Sequence, residues 1–422
     1  MLTELPDDVR RAIVTLFGVQ VVCVLLAGVY TNHYLFLDPF GRGLPDVSPT
    51  AHQLVVSFQI GTALCALWSV ALAVLASPAG GGRALDLLGR AIASDERSGW
   101  AWKAAVGCAA LYAVGRLVLN EETTHATLQM LTDGTALLPF QYRDAVPALV
   151  RGLRAAVPGL DRVDLPWTYG AVEAVAGVGV WASVAYLLRP LVSSAAASRV
   201  GALAVFVPLA FNLVVPWRYN AIFFPYDTPS VAVFALGLGL LLRGDLRAYL
   251  VVFVLGTFNR ETTCFLAVAY LALAVGREPW RRIAVLLAVQ VALWVGIKVG
   301  MSWAYAGNDT LSDIGLFASM IGRSGRILTA VPGLVYLLVV PLGGLATLLW
   351  TLRHRVRPDR LRRMYWFIPP FVLGMIIVGE LMEVRIYSEF VPIVTVGLVV
   401  ALREVAAAGV RHAPPLQTMV CA

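Results

Sequence analysis

The sequence predicts an all-α, polytopic membrane protein with about twelve membrane helices, some short or broken. Three observations carry this. Of 422 residues, 59% are hydrophobic and 14% charged, with a mean hydropathy of +0.76; an ordinary soluble domain carries about 25% charged residues. Apolar runs of membrane-crossing length recur from end to end. The arginines between those runs alternate in abundance, as loops on two sides of a bilayer do.

The runs lie near 11–30, 54–76, 101–119, 167–188, 200–216, 229–243, 248–258, 262–275, 283–304, 329–351, 365–379 and 388–402. With the N-terminal "DDVRR" on the cytoplasmic side, 21 of the 33 basic residues fall in inner loops and ten in outer ones. The C-terminal tail is then cytoplasmic too. Three regions are expected. Residues 1–100 form a transmembrane hairpin with a cytoplasmic linker, 101–282 a core module with a large external loop at 120–166, and 283–422 the C-terminal helices and short tail.

Only Lys103 and Lys298 are lysines, and with so much Ala, Gly and Val this bias points to a GC-rich bacterial genome and a bacterial cytoplasmic membrane. The net charge of +7 follows from arginine-rich inner loops, so no nucleic-acid partner is expected. Five cysteines show no CxxC or Cys/His spacing. No metal-binding residue is assigned; a divalent metal ion would have to use His33, His52 or His125, and no ligand spacing supports it.

The stretch "LGTFNRETTCFL" sets Asn259, Arg260 and Glu261 between two short apolar runs. Ionised groups at mid-bilayer cost about 2.5–3.5 kcal/mol each, and one continuous helix over 248–275 would place the hexabasic "RHRVRPDRLRR" outside. Two short helices meeting at the triplet are therefore expected, with a tight reversal near the external face reached through a water-filled cavity. The charged pair either locks the two helices or meets a ligand.

Polar residues gather on the external side. The first loop carries Asp38 and Asp46, and the third, "WRYNAIFFPYDTP", has Arg218 and Asp227. The last, "GELMEVRIYSEF", sets Glu380, Glu383 and Glu389 around Arg385. Asp227 opens a helix that Thr228 can cap, where the positive dipole end suits an acid. Within 120–166, "VPALVRGLRAAV" spaces Val146, Leu149, Val150 and Leu153 as an amphipathic interfacial helix. "TTHATLQML" reads as another, after Thr123 and Thr124 as caps, with Asp133 in the "TDGT" turn between them. Such a loop suits a roof over a lipid-accessible cavity, or a spacer lying on the surface.

Taken together, "PFQYRDAVPAL", "YDTPSVAVFALGLGLLLR", "TFNRETTCFLAVAYL" and "EVRIYSEFVPI" resemble bacterial members of the GT-C superfamily of lipid-linked-sugar glycosyltransferases, over roughly residues 105–402. The resemblance implies a catalytic acid in the first large external loop, here 120–166, and makes spans 11–30 and 54–76 additions ahead of the core. The family's adjacent acid pair is missing; Glu121–Glu122 comes nearest. It also implies a polyprenyl-phosphate sugar donor drawn from the membrane lipid and a glycan, lipid or protein acceptor. Arg143, Arg218, Arg260 and Arg385 are the cations for the donor phosphate. Asp133 is the first choice of base, ahead of Asp144, Glu122 and Asp38. A secondary transporter of a polar or anionic solute is the alternative, although the short runs at 248–275 show no counterpart in the other half. A surface-polysaccharide polymerase or ligase is a further one.

Overall fold

A computed structural model of the chain describes residues 5–37, 49–215, 222–310, 321–379 apart from 323, 326 and 330, then 381 and 383–411, with the side chains of 28–37 and 49–55 left out. Among the described residues there is no strand, only helices joined by turns and three isolated β-bridges.

Among the described residues, eight stretches are long and apolar enough to cross a membrane: Asp7–Ala27, Val56–Ala76, Trp100–Leu119, Leu165–Leu191, Ala195–Leu213, Trp280–Ala304, Asp359–Val378 and Val384–Arg411. A ninth, Val331–Val339 with Pro341–Arg355, is bent by 75°. The chain is thus an all-α, multi-pass membrane protein. Its outer surface agrees: Val14, Leu111, Val175, Val251 and Trp303 are exposed large hydrophobics, which suits lipid rather than water.

In order, α1 (Asp7–Leu37) and α2 (Pro49–Ala76) pack as a hairpin. The amphipathic α3 (Pro78–Ser98) starts at Ser77, whose hydroxyl accepts the Gly80 amide at 3.0 Å, and is followed by α4 (Trp100–Leu119). Two short helices, α5 (Leu128–Asp133) and α6 (Ala145–Ala156), precede α7 (Leu165–Leu188), α8 (Ala195–Ala202) and α9 (Phe206–Leu213). Then come α10 (Asp227–Arg243), α11 (Leu246–Asn259), α12 (Phe265–Ala274) and α13 (Trp280–Ala304). The chain closes with α14 (Val331–Val339), α15 (Leu345–Leu352), α16 (Asp359–Met364), α17 (Ile368–Val378) and α18 (Val391–Arg411). The main core runs between α4, α7, α10 and α18, through Tyr112, Val180, Val184, Phe234, Leu238 and Ile393.

Long-range polar contacts sort the helix ends onto two faces. On one, Asp8 pairs with Arg355, Asp95 with Arg199 at 2.7 Å, Arg277 with Asp359 at 2.8 Å, and Arg357 with Glu404 at 3.3 Å. Arg360 donates to Leu242 O and Arg363 to Val275 O, so α10 and α12 end beside α16. The loops expected to be arginine-rich share this face. The opposite face gathers 120–166, 222–228, 259–264, 304–310 and 383–390.

The short helices α11 and α12 start and end at the arginine-rich face and meet at Arg260, whose backbone is extended. That is the expected reversal. A second break, which the hydropathy does not show, falls at Pro341–Gly344, where Leu342, Gly343 and Gly344 all have left-handed φ. Side chains reclaim the freed backbone groups, as membrane burial demands: Asn212 Oδ1 accepts the Leu342 amide at 2.7 Å, and Trp68 Nε1 donates to Gly343 O at 3.1 Å.

Candidate functional site

The chemistry concentrates where α10 begins. Asp227, its first residue, is wholly buried. Three guanidiniums face it, from Arg260 at 3.3 Å, Arg385 at 3.8 Å and Arg116 at 3.9 Å. Arg260 also reaches Glu389 at 3.2 Å, and Arg116 reaches Glu173 at 3.2 Å. Burying a charge is costly unless it is paired and hydrogen-bonded, and here three buried cations meet three buried carboxylates. Hydroxyls complete the set. Thr262 donates to Glu389 at 2.6 Å, Thr228 donates to Glu173, and Tyr112 bonds the Thr228 hydroxyl at 2.6 Å. Arg116 further donates to Phe224 O at 3.0 Å, and Arg385 lies over the Phe224 ring with its Nη2 2.5 Å from Glu383. The cluster ties together α4, α7, α10, the turn before α12 and the Val384–Phe390 turn.

Above it lies the 120–166 segment. Two backbone links and one side chain fasten it: Phe223 N to Glu121 O at 2.8 Å, Leu138 N to Asp309 O at 2.9 Å, and Asn308 Nδ2 to Gly134 O at 2.9 Å. Buried Gln141 knits its interior, accepting from Ala136 N and donating to Asp144. Arg143 then reaches down. Its Nε donates to Glu261 Oε2 at 3.1 Å, its Nη1 to Tyr226 OH at 3.1 Å, and its guanidinium sits 4.9 Å from the Tyr226 ring. Burial works against the Arg143 charge, but Glu261 and Tyr226 outweigh it and hold its pKa well above the ordinary value. Burial pushes the Tyr226 phenol up to about 12. Glu261 keeps 36% of its side-chain surface exposed, so the Arg143–Glu261 pair is where the buried cluster meets open space.

The structure brings together eight of the residues expected from sequence: Arg143, Arg260, Arg385, Asp227, Asn259, Glu261, Glu383 and Glu389. It does not bring the loop acids to them. Asp133 is exposed and accepts only from Gln129 at 2.7 Å. Glu122 is exposed and accepts the Leu128 amide at 2.8 Å, serving the start of α5. Asp144 is held by Arg151 at 2.7 Å and by Gln141. Asp38, Asp46, Arg218 and Glu380 lie outside the described residues, as do the side chains of His33 and His52. Among the described residues no group of His, Cys, Asp or Glu is placed to hold a metal ion.

Several expectations need correction. Asn259 and Arg260 are not open to a water-filled cavity; each is 3% exposed, because Asn259 donates to Tyr226 O and Arg260 sits between two carboxylates. Arg260 therefore presents no free edge to a phosphate. Thr228 does not cap α10: Tyr226 takes the cap position without a side-chain bond, and the Thr228 hydroxyl turns to Glu173. Asp227 is explained by its arginines rather than by the helix end. Around Arg385 stands Glu383, while Glu389 serves Arg260. Thr127, not Thr123 or Thr124, caps α5. A shallow apolar cleft lined by Leu246, Pro279 and Leu286 lies on the arginine-rich face, remote from these charges.

Arg116, Glu173, Tyr112 and Lys298 join the site without being among the residues expected there from sequence. A signal existed for three of them: Arg116, Glu173 and Lys298 are ionisable residues inside membrane-crossing stretches, where charge is expensive and marks a site by default. Compared with family models, curated proteins and solved structures, the chain finds no match.

Proposed function

We propose that the protein is an integral membrane glycosyltransferase, similar in plan to the GT-C enzymes. It transfers a sugar from a polyprenyl-phosphate-linked donor to a glycan, lipid or protein acceptor on the external face of a bacterial cytoplasmic membrane. Counting α10, α11, α12 and the bent pair gives twelve crossings, with both termini cytoplasmic by the excess of arginine on their face. One observation carries the reading. The amphipathic 120–166 segment is fastened as a roof over a buried charge cluster and sends Arg143 to the helix break at Glu261. A site at the membrane surface with an arginine at its rim suits an anionic group on a lipid.

In this reading Arg143 binds the donor phosphate and stabilises the leaving group's charge. The buried Arg116, Arg260 and Arg385 hold the floor through Asp227. Asp133, the base that the resemblance puts first, is exposed on the roof with no arginine on it and stands apart from Arg143, so in this reading the acceptor hydroxyl must be brought between them for Asp133 to take its proton. The test is hexose transfer from a labelled polyprenyl-phosphoryl hexose by the full-length protein in nanodiscs. Asp133→Asn is expected to abolish product while the protein inserts and purifies normally. Near-normal turnover removes Asp133 from the task; no transfer by the parent protein to glycan, lipid or protein acceptors removes the activity.

The alternative is a transporter, which the bent span at Pro341–Gly344 suits; that bend and the reversal at Arg260 both lie in the second half of the chain, so they do not form a pair in corresponding halves. Solute counterflow in reconstituted vesicles, without sugar transfer, would decide for it.

A further inference from the structure

Lys298 is one of two lysines in a chain with 33 basic residues, and it stands inside a membrane-crossing helix. From Trp280 it is about 27 Å along α13, whose full length is about 37 Å. A hydrocarbon core of about 30 Å centred on α13 would put the Lys298 backbone several ångströms below the headgroups of the roofed face. A lysine stem spans that distance, so its ammonium reaches phosphate level.

Its neighbours fix where it points. Trp294, one turn earlier on the same side of α13, donates Nε1–H to Glu261 O at 3.0 Å. Lys298 Nζ donates to Tyr142 O at 3.4 Å. The ammonium is thus set between the residue before Arg143 and the helix break at Glu261, yet no carboxylate of the described residues lies within ion-pair distance of it. Next to it, Val295, Val299 and Trp303 are exposed, so the lipid side of α13 leads directly to this corner. Glu261, the nearest acid on the break, is taken by Arg143, so the Lys298 ammonium keeps N–H donors for an anionic group arriving from the lipid side.

We propose that Lys298 and Arg143 together seat the phosphodiester of a lipid arriving along the outer half of α13; for the polyprenyl chain of that lipid the inference rests on the glycosyltransferase reading. Arg143 already spends Nε and Nη2 on Glu261 and Nη1 on Tyr226, so it contributes its charge to the seat while Lys298 supplies the N–H donors.

Binding of a labelled polyprenyl-phosphoryl hexose to the full-length protein in phosphatidylcholine nanodiscs tests it. Lys298→Gln keeps a donor for Tyr142 O and removes the charge; it is expected to weaken binding at least about tenfold at unchanged thermal stability, while Lys298→Arg retains most of it. A Lys298→Gln protein that binds as the parent does, or a parent that prefers the lipid no more than uncharged polyprenol, overturns the seat. Phosphatidylglycerol at equal mole fraction separates the sources: failure to compete gives the seat to the polyprenyl lipid, and full competition gives it to the bulk anionic lipid. Lys298-dependent binding without any hexose transfer keeps the seat and removes the glycosyltransferase reading. Transfer and binding that ignore Lys298 do the reverse.

Discussion

Neutralising Asp227 is the sharpest perturbation available, because one carboxylate faces three buried guanidiniums. At an effective dielectric constant of about 20, a unit pair at the observed 3.3, 3.8 and 3.9 Å is worth about 4–5 kcal/mol each. The gross attraction is therefore about 14 kcal/mol. Most of it is offset by the cost of bringing the carboxylate out of water and by repulsion from Glu173 and Glu389. Removing one partner of a buried charge set costs about 3–5 kcal/mol, and Asp227→Asn, which preserves shape, is expected to fall there. Reversible unfolding in mixed micelles with increasing sodium dodecyl sulfate measures it. Adding Arg260→Gln to Asp227→Asn removes one of the stranded cations, so the double variant should be more stable than the sum of the singles by at least about 1 kcal/mol. A loss below about 1 kcal/mol for Asp227→Asn, or strict additivity, would refute the view that charge pairing holds these helix ends together.

Two further predictions concern geography and the second break. With single cysteines in a background freed of native ones, Glu261→Cys should react with an impermeant maleimide from outside intact cells, and Arg357→Cys, whose parent side chain is 69% exposed, only after permeabilisation; the opposite pattern would invert the assigned orientation. At Gly343 the backbone has φ +63°, and an added Cβ would stand 2.6 Å from Phe211 Cδ2. Gly343→Val should therefore lower stability in the same unfolding assay by about 1–3 kcal/mol, and a neutral result would remove the left-handed bend.

The sequence by itself determined the all-α class, the positions of the apolar helices and which loops share a face. These follow from composition, run length and arginine bias, each a property of residues taken in order. It also placed the reversal at Arg260, because two charges between two runs too short to cross comfortably leave few alternatives. Asp227 and Glu389 were visible as acids but read as loop residues at helix ends. Only the tertiary structure put them under Arg260, since pairing partners 33 and 129 positions apart leave no local trace. The break at Pro341–Gly344 was equally silent: an apolar run reads the same whether straight or bent, and Asn212 and Trp68, which stabilise the bend, come from distant helices. Proximity in the fold likewise decided that Lys298 faces Arg143 and Glu261. A charge inside an apolar run announces that it needs a partner, and the packing of helices around it decides which one it finds.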